Sequence, residues 1–220
     1  MQASEFRLFL VFLRQDFEYY VMFKELDTSG DKRIGLDEFK KALPTLAKWG
    51  VKIDDSAAAF KEIDVNGGGQ VLFDEFVVWA TSKNLDLDDD DDNDCQQTLK
   101  ETEAAKSLMK SKDAKSNSNK KVVKTQETPA KTTKMKVNWK EIHDKLPMGK
   151  TAADKKKRAA MFRQFDPNGN GYLSLAEIDK GIRDVLECES MFDAKPAIIR
   201  AFQSAKDAVK GKETDTVGDD

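Results

Sequence analysis

Twelve residues, Asp166 to Glu177, read D-P-N-G-N-G-Y-L-S-L-A-E and set oxygen donors at a regular spacing. Asp166, Asn168 and Asn170 supply side-chain oxygens at positions 1, 3 and 5 of the loop. Gly171 at position 6 permits the sharp turn, because without a Cβ it takes φ > 0 at little cost. Tyr172 offers its backbone carbonyl at position 7, Ser174 a hydroxyl at position 9 acting directly or through a water, and Glu177 two carboxylate oxygens at position 12. Hard oxygens with no thiolate or imidazole suit calcium, with magnesium as the substitute in its absence. The bland alternative is an Asn/Gly-rich surface turn, and the flanking residues argue against it.

Those flanks occur three times. Phe162-Arg-Gln-Phe165 precedes Asp166, Phe23-Lys-Glu-Leu26 precedes Asp27, and Phe60-Lys-Glu-Ile63 precedes Asp64. Each sets an apolar pair at i and i+3 on one face of an incoming helix. Glu177-Ile178, Glu38-Phe39 and Glu75-Phe76 open the outgoing helix, an apolar residue following each closing carboxylate. A helix–loop–helix unit repeated in this way is the EF-hand.

The other two loops depart from the ideal. D-T-S-G-D-K-R-I-G-L-D-E offers Asp27, Ser29, Asp31 and Glu38, the Arg33 carbonyl at position 7, and Gly35 leaving position 9 to a water. Lys32 stands where glycine is expected, so a non-glycine residue is expected to take φ > 0 at roughly 1 kcal/mol. D-V-N-G-G-G-Q-V-L-F-D-E keeps Asp64, Asn66, the Gln70 carbonyl and Glu75, with Gly69 at the turn. Gly68 and Leu72 remove the ligands at positions 5 and 9, which makes this the weakest site. Ile34 and Val71, both at position 8, are expected to pair in a short two-stranded bridge.

The 220 residues carry 37 basic and 40 acidic side chains, a balance that favours neither a nucleic-acid nor a membrane-surface partner. Cys95 and Cys188 lie far apart without metal spacing, as in a reduced intracellular, cytoplasmic chain. The longest apolar run, Phe6 to Leu13, is too short to span a bilayer, and Met1-Gln2 lacks the glycine of a myristoylation signal. Seven aspartates between Asp86 and Asp94, then eleven lysines against four acids from Lys100 to Lys136, read as a charged flexible linker. Gln97 to Lys112 carries a weak helical pattern within it. Asp154-Lys-Lys-Lys-Arg158 reads as a solvated basic face, and His143 as a surface residue on a short helix. No nucleophile–base pair or phosphate-cradling glycine loop is present, so an enzyme is not expected.

A partner loop for Asp166–Glu177 should begin near residue 203, yet that region is plain helix, with Ile198, Phe202, Ala205 and Val209 at helical spacing. Glu5-Phe6 repeats the closing signature without a loop before it. Counted back from Glu5 at position 12, Met1 falls at position 8. The missing hand is therefore expected to be split between the two ends of the chain, Leu173 lying beside Met1 as Ile34 lies beside Val71.

F-R-L-F-L-V-F-L-R-Q, Trp49-Gly50-Val51, D-V-N-G-G-G-Q-V-L-F-D-E-F and F-D-P-N-G-N-G-Y-L-S-L-A-E resemble the flagellar calcium-binding proteins, or calflagins, of flagellated protists. The hands stand in rotated order here, as in a phase-shifted piece of a tandem array or a permuted unit. The resemblance implies a calcium sensor of the flagellum or cilium. Relatives in that family are often acylated at the amino terminus, a feature that Met1-Gln2 does not carry over.

The expected architecture is all-α, with EF-hand helix–loop–helix pairs forming two lobes joined by the charged linker. Residues 1–80 would form one pair with its preceding helix, 81–136 the linker, and 137–220 the segment with the strong loop and a half-hand. The expected activity is calcium sensing through a target protein that docks in a calcium-exposed apolar groove. The alternatives are a calcium-indifferent axonemal scaffold component and a calcium buffer. A domain-swapped dimer is the alternative assembly.

Overall fold

A computed structural model describes residues 1–85 and 137–213, with side chains through residue 208. The charged linker and its weak helical stretch, Gln97 to Lys112, lie outside the described residues. The first part contains α1 (Ala3–Leu26), β1 (Ile34–Gly35), α2 (Leu36–Lys48), α3 (Ser56–Ile63), β2 (Gln70–Val71) and α4 (Phe73–Ser82). The second contains α5 (Trp139–Lys145), α6 (Ala152–Phe165), α7 (Leu175–Asp184), α8 (Glu189–Asp193) and α9 (Lys195–Glu213). The fold is all-α and built of EF-hands, with two-residue strands as its only sheet among the described residues.

Local chemistry sets the helix starts. Asp55 caps α3 by accepting from the backbone of Ala57 and Ala58 at 2.9 and 3.1 Å, Asn138 caps α5, and Thr151 caps α6. The four outgoing starts share one device. Glu38, Glu75 and Glu177 turn back to accept from the N–H of Gly35, Leu72 and Ser174 at 2.9, 2.9 and 2.8 Å. Glu5 does the same to Gln2 at the start of α1. Each satisfies an amide that the helix itself leaves without a partner.

The hands pair as the sequence requires. Ile34 faces Val71 and Gly35 faces Gln70 in an antiparallel bridge. At the other end of the molecule Gln2 faces Tyr172 in a second bridge. The Met1 nitrogen donates to the Leu173 carbonyl at 2.9 Å, and the Leu173 N–H returns a bond to Met1 at 2.7 Å. The register repeats that of the first pair, position 8 against position 8. Aromatic packing repeats as well. Phe39 and Phe76, which follow the closing glutamates, meet Phe60 and Phe23 of the partner hand's incoming helix, ring centroids 5.8 and 5.6 Å apart. Phe6, following Glu5, meets Phe162 and Phe165 of α6 edge-on, both at 5.4 Å.

α1 serves both halves, its start lying against the loop Asp166–Glu177 and its last turn leading into the loop at Asp27. It is buried on nearly every side, and its most extensive contact is with α9. Ala197, Ala201 and Ala205 recur every four residues on α9 and are fully buried, a stripe of small side chains that lets the two backbones approach closely. Ile198 and Phe202 complete that face. The segment Trp139–Met148 wraps the outside of α1. Trp139 lies against Phe17 with centroids 5.7 Å apart, and Arg7 donates to the Met148 carbonyl at 2.7 Å. α8 has no counterpart in the sequence reading.

Candidate metal centre

All three loops are organised around the carboxylate at position 1. Asp27 is fully buried and Asp166 nearly so. Asp27 Oδ2 accepts from the Lys32 N–H at 2.9 Å, Asp64 Oδ2 from Gly69 at 2.8 Å, and Asp166 Oδ2 from Gly171 at 2.9 Å. In each case the donor is the position 6 amide, which only a left-handed turn can present. Gly69 and Gly171 have φ of 75° and 78°. Lys32 takes the same turn with φ 66°, so the strain expected of a non-glycine residue there is present.

In the strong loop Asn168 Oδ1 accepts from the Asn170 N–H at 2.9 Å, and Asn170 Oδ1 accepts from Tyr172 at 2.7 Å. Asn168 donates its side-chain amide to Glu177, and Ser174 donates its hydroxyl to Glu177 Oε2 at 2.7 Å. The loop thus brings together Asp166, Asn168, Asn170, Ser174 and Glu177, and fixes the Tyr172 backbone. Tyr172 extends its ring into solvent.

The loop after α1 draws Ser29 onto Asp27 at 3.2 Å. Glu38 accepts from Ser29 N–H at 2.8 Å and Thr28 hydroxyl at 3.1 Å. Burial alone would raise the proton affinity of Glu38. Hydrogen bonds from Gly35, Ser29 and Thr28 outweigh it and hold the carboxyl below its ordinary value, ready to act as an anion. Asp31 turns to the Arg33 N–H at 2.9 Å, and the Arg33 guanidinium crosses to Gln70 of the partner loop at 2.7 Å. In the third loop Asn66 donates to Glu75 at 2.6 Å and accepts from Gly68 at 2.8 Å. Val65 and Leu72, at positions 2 and 9, stand exposed and offer no side-chain oxygen.

Among the described residues no three acids, histidines or cysteines gather into a metal-holding cluster. The donor sets are mixed, with carboxylates at positions 1 and 12 and amides or hydroxyls between. Such oxygen sets fit calcium and exclude the softer metals.

Charged residues that the sequence reading passed over are part of the frame. Arg14 is buried on α1, 3.0 Å from Glu18 and with its guanidinium 4.2 Å from the centre of the Trp139 ring. Arg200 on α9 reaches Asp16 on α1 at 3.2 Å and Asp74 on α4 at 3.6 Å. Arg158 is not part of a solvated face; it donates to the carbonyls of Pro147 and Gly149 at 2.7 and 2.5 Å. An α1 apolar all round was the signal for the first of these, since charges within it have to meet partners. His143 is exposed on α5. No described helix is long and apolar enough to cross a membrane.

Residues 142–220 match the family model described as FCaBP EF-hand domain, and residues 16–81 match the EF-hand domain pair. The chain is 36% identical over 209 residues to flagellar calcium-binding protein TB-44A of Trypanosoma brucei brucei, an alignment spanning 94% of this chain and 43% of that one. It is 51% identical over 93 residues to the flagellar calcium-binding protein of Trypanosoma cruzi, 42% of this chain and 44% of the relative. Polcalcin Cyn d 7 of Cynodon dactylon is 41% identical over 61 residues, 28% of this chain and 74% of that protein. The chain spans less than half the length of these flagellar relatives. With its loops, pairing and matches taken together, the chain belongs to the flagellar calcium-binding protein (calflagin) family of EF-hand proteins.

Proposed function

We propose that this calcium-binding EF-hand protein is a calcium sensor of the flagellum or cilium that acts through a partner protein. Asp166, Asn168, Asn170, Ser174, Glu177 and the Tyr172 carbonyl would hold the ion at the strongest site. Asp27, Ser29, Asp31, Glu38 and the Arg33 carbonyl would form the second. Asp64, Asn66, Glu75 and the Gln70 carbonyl would form the weakest, with magnesium filling sites when calcium is low. The observation that carries this reading is the arrangement common to the loops, a position 1 carboxylate gathered under the position 6 amide and a glutamate folded back from position 12. Bound calcium supplies charge neutralisation at those two ends of each loop. The residues themselves set the approach of incoming and outgoing helices, and a shift in that approach would uncover the aromatic faces of Phe39, Phe60, Phe76 and Trp79 to a partner helix.

The two hand pairs act as one body, with residues 86–136 as the covalent connection between them. The single alignment over 94% of the chain supports this order of hands as one that also occurs within a longer relative. The flagellar setting rests on the names of those relatives. The family is non-enzymatic, and no catalytic role is assigned.

A structural or buffering role is the second reading, and the missing donors at Gly68 and Leu72 favour it for the third loop. Calorimetric calcium titration with magnesium present, followed by binding of an apolar dye with and without calcium, separates the readings. A sensor binds calcium and gains dye. Binding without dye leaves a buffer, and no binding at all leaves a scaffold.

A further inference from the structure

The structure assigns to residues 1–6 the role of a positioning element for the calcium loop Asp166–Glu177, which they complete from 172 residues away. The inference rests on the reading that this loop binds calcium, and it names what sets the affinity there. By its ligands alone the loop looks self-sufficient. Its backbone is held from outside, however. Leu173 exchanges both of its bridge bonds with Met1, and Tyr172, whose carbonyl stands at ligand position 7, lies opposite Gln2. The Gln2 side-chain amide also reaches the Tyr172 hydroxyl at 3.4 Å.

The same short segment grips the incoming end of the loop. Phe6 packs edge-on to Phe165, the residue immediately before Asp166, and to Phe162 one turn earlier. Phe6 and Phe165 are both buried, and Met1 is buried against the same core. Glu5 fixes the first turn of α1 by accepting from Gln2, so the bridge strand and Phe6 keep one spacing. The first pair shows what this does, because Ile34–Val71 and Phe23–Phe76 hold its two loops together in the same manner. There the partner follows directly in sequence. At the strong loop it comes from the far end of the chain, so the best ligand set depends on a segment that carries none of its ligands.

Terbium, which replaces calcium in oxygen-donor loops, gives a site-specific test. Tyr172 is the only aromatic residue at position 7 among the three loops, Arg33 and Gln70 occupying it in the others. Luminescence excited through tyrosine and removed by Tyr172→Phe therefore reports this loop alone. Glu5→Ala should weaken terbium and competing calcium at that site about five-fold, the scale of a lost helix cap. Phe6→Ala should weaken it about ten-fold or more, and Phe6→Leu should restore most of the loss. Calorimetry should show calcium binding at the other two loops unchanged in Glu5→Ala. Unaltered luminescence titrations in Glu5→Ala and Phe6→Ala would overturn the inference, as would an equal loss at all three loops. If the unaltered chain gives no Tyr172-sensitised signal, the calcium reading of this loop fails, and the inference with it.

Discussion

A side chain that breaks a rule at one position shows most clearly what the loop requires. Lys32 occupies a left-handed turn that glycine enters freely, and it does so because its N–H has to reach buried Asp27. Lys32→Gly keeps that bond and relieves about 1 kcal/mol of strain, so calcium at Asp27–Glu38 should tighten several-fold. Weaker binding on titration would show that the lysine conformation is not strained. At the strong loop, Glu177→Gln exchanges one carboxylate oxygen for an amide and removes a charge from the closing position. One calcium-binding event should vanish from the calorimetric isotherm. An unchanged stoichiometry and affinity would refute the ligand assignment.

At the level of elements, the hand is held by how helices meet beneath the loop. Gly181 on α7 lies directly under the Phe165 ring, and a Cβ there would fall 2.3 Å from the Phe165 Cδ1. Alanine favours a helix over glycine by roughly 1 kcal/mol, but overpacking a fixed core costs about 1–3 kcal/mol. Phe165 cannot move aside, since it is buried between α7 and Phe6. Gly181→Ala should therefore lower stability by about 1–2 kcal/mol in denaturant unfolding, the clash outweighing the propensity. A rise in stability would mean that the ring repacks freely. Arg14, Asp16 and Glu18 belong to this scale as well. Their burial on α1 is tolerable because Trp139 and Arg200 come from other elements to meet them.

For the molecule as a whole, α1 is the member that both pairs share. It starts beside the bridge to Leu173, leads into the next loop at Asp27, and packs along α9 between them. Cutting the chain near Lys120, outside the described residues, should therefore not separate its halves. The buried faces of α1 and α9 leave each half with a large apolar surface, and at roughly 25 cal/mol per Å² such surfaces hold together without a covalent tie. The two pieces should elute as one species of the parent size on a sizing column. Independent monomeric halves would rule out the split hand, and a species of twice the size would point to the swapped dimer.

The loops were legible in the sequence because their chemistry is local. Position 1, position 6 and position 12 lie within twelve residues, and a closing glutamate reaches only three residues back. For the same reason Glu5 could be recognised as a closing residue and Met1 placed beside Leu173. The bridge that this reading expects is present, Met1 and Leu173 exchanging both backbone bonds. The sequence was silent on Arg158 and on the charged residues of α1, whose partners lie on other elements. Local spacing determines what a loop can bind. Which apolar face covers which helix, and which buried charge meets which, depends on segments far apart in the chain, and only the tertiary structure decides it.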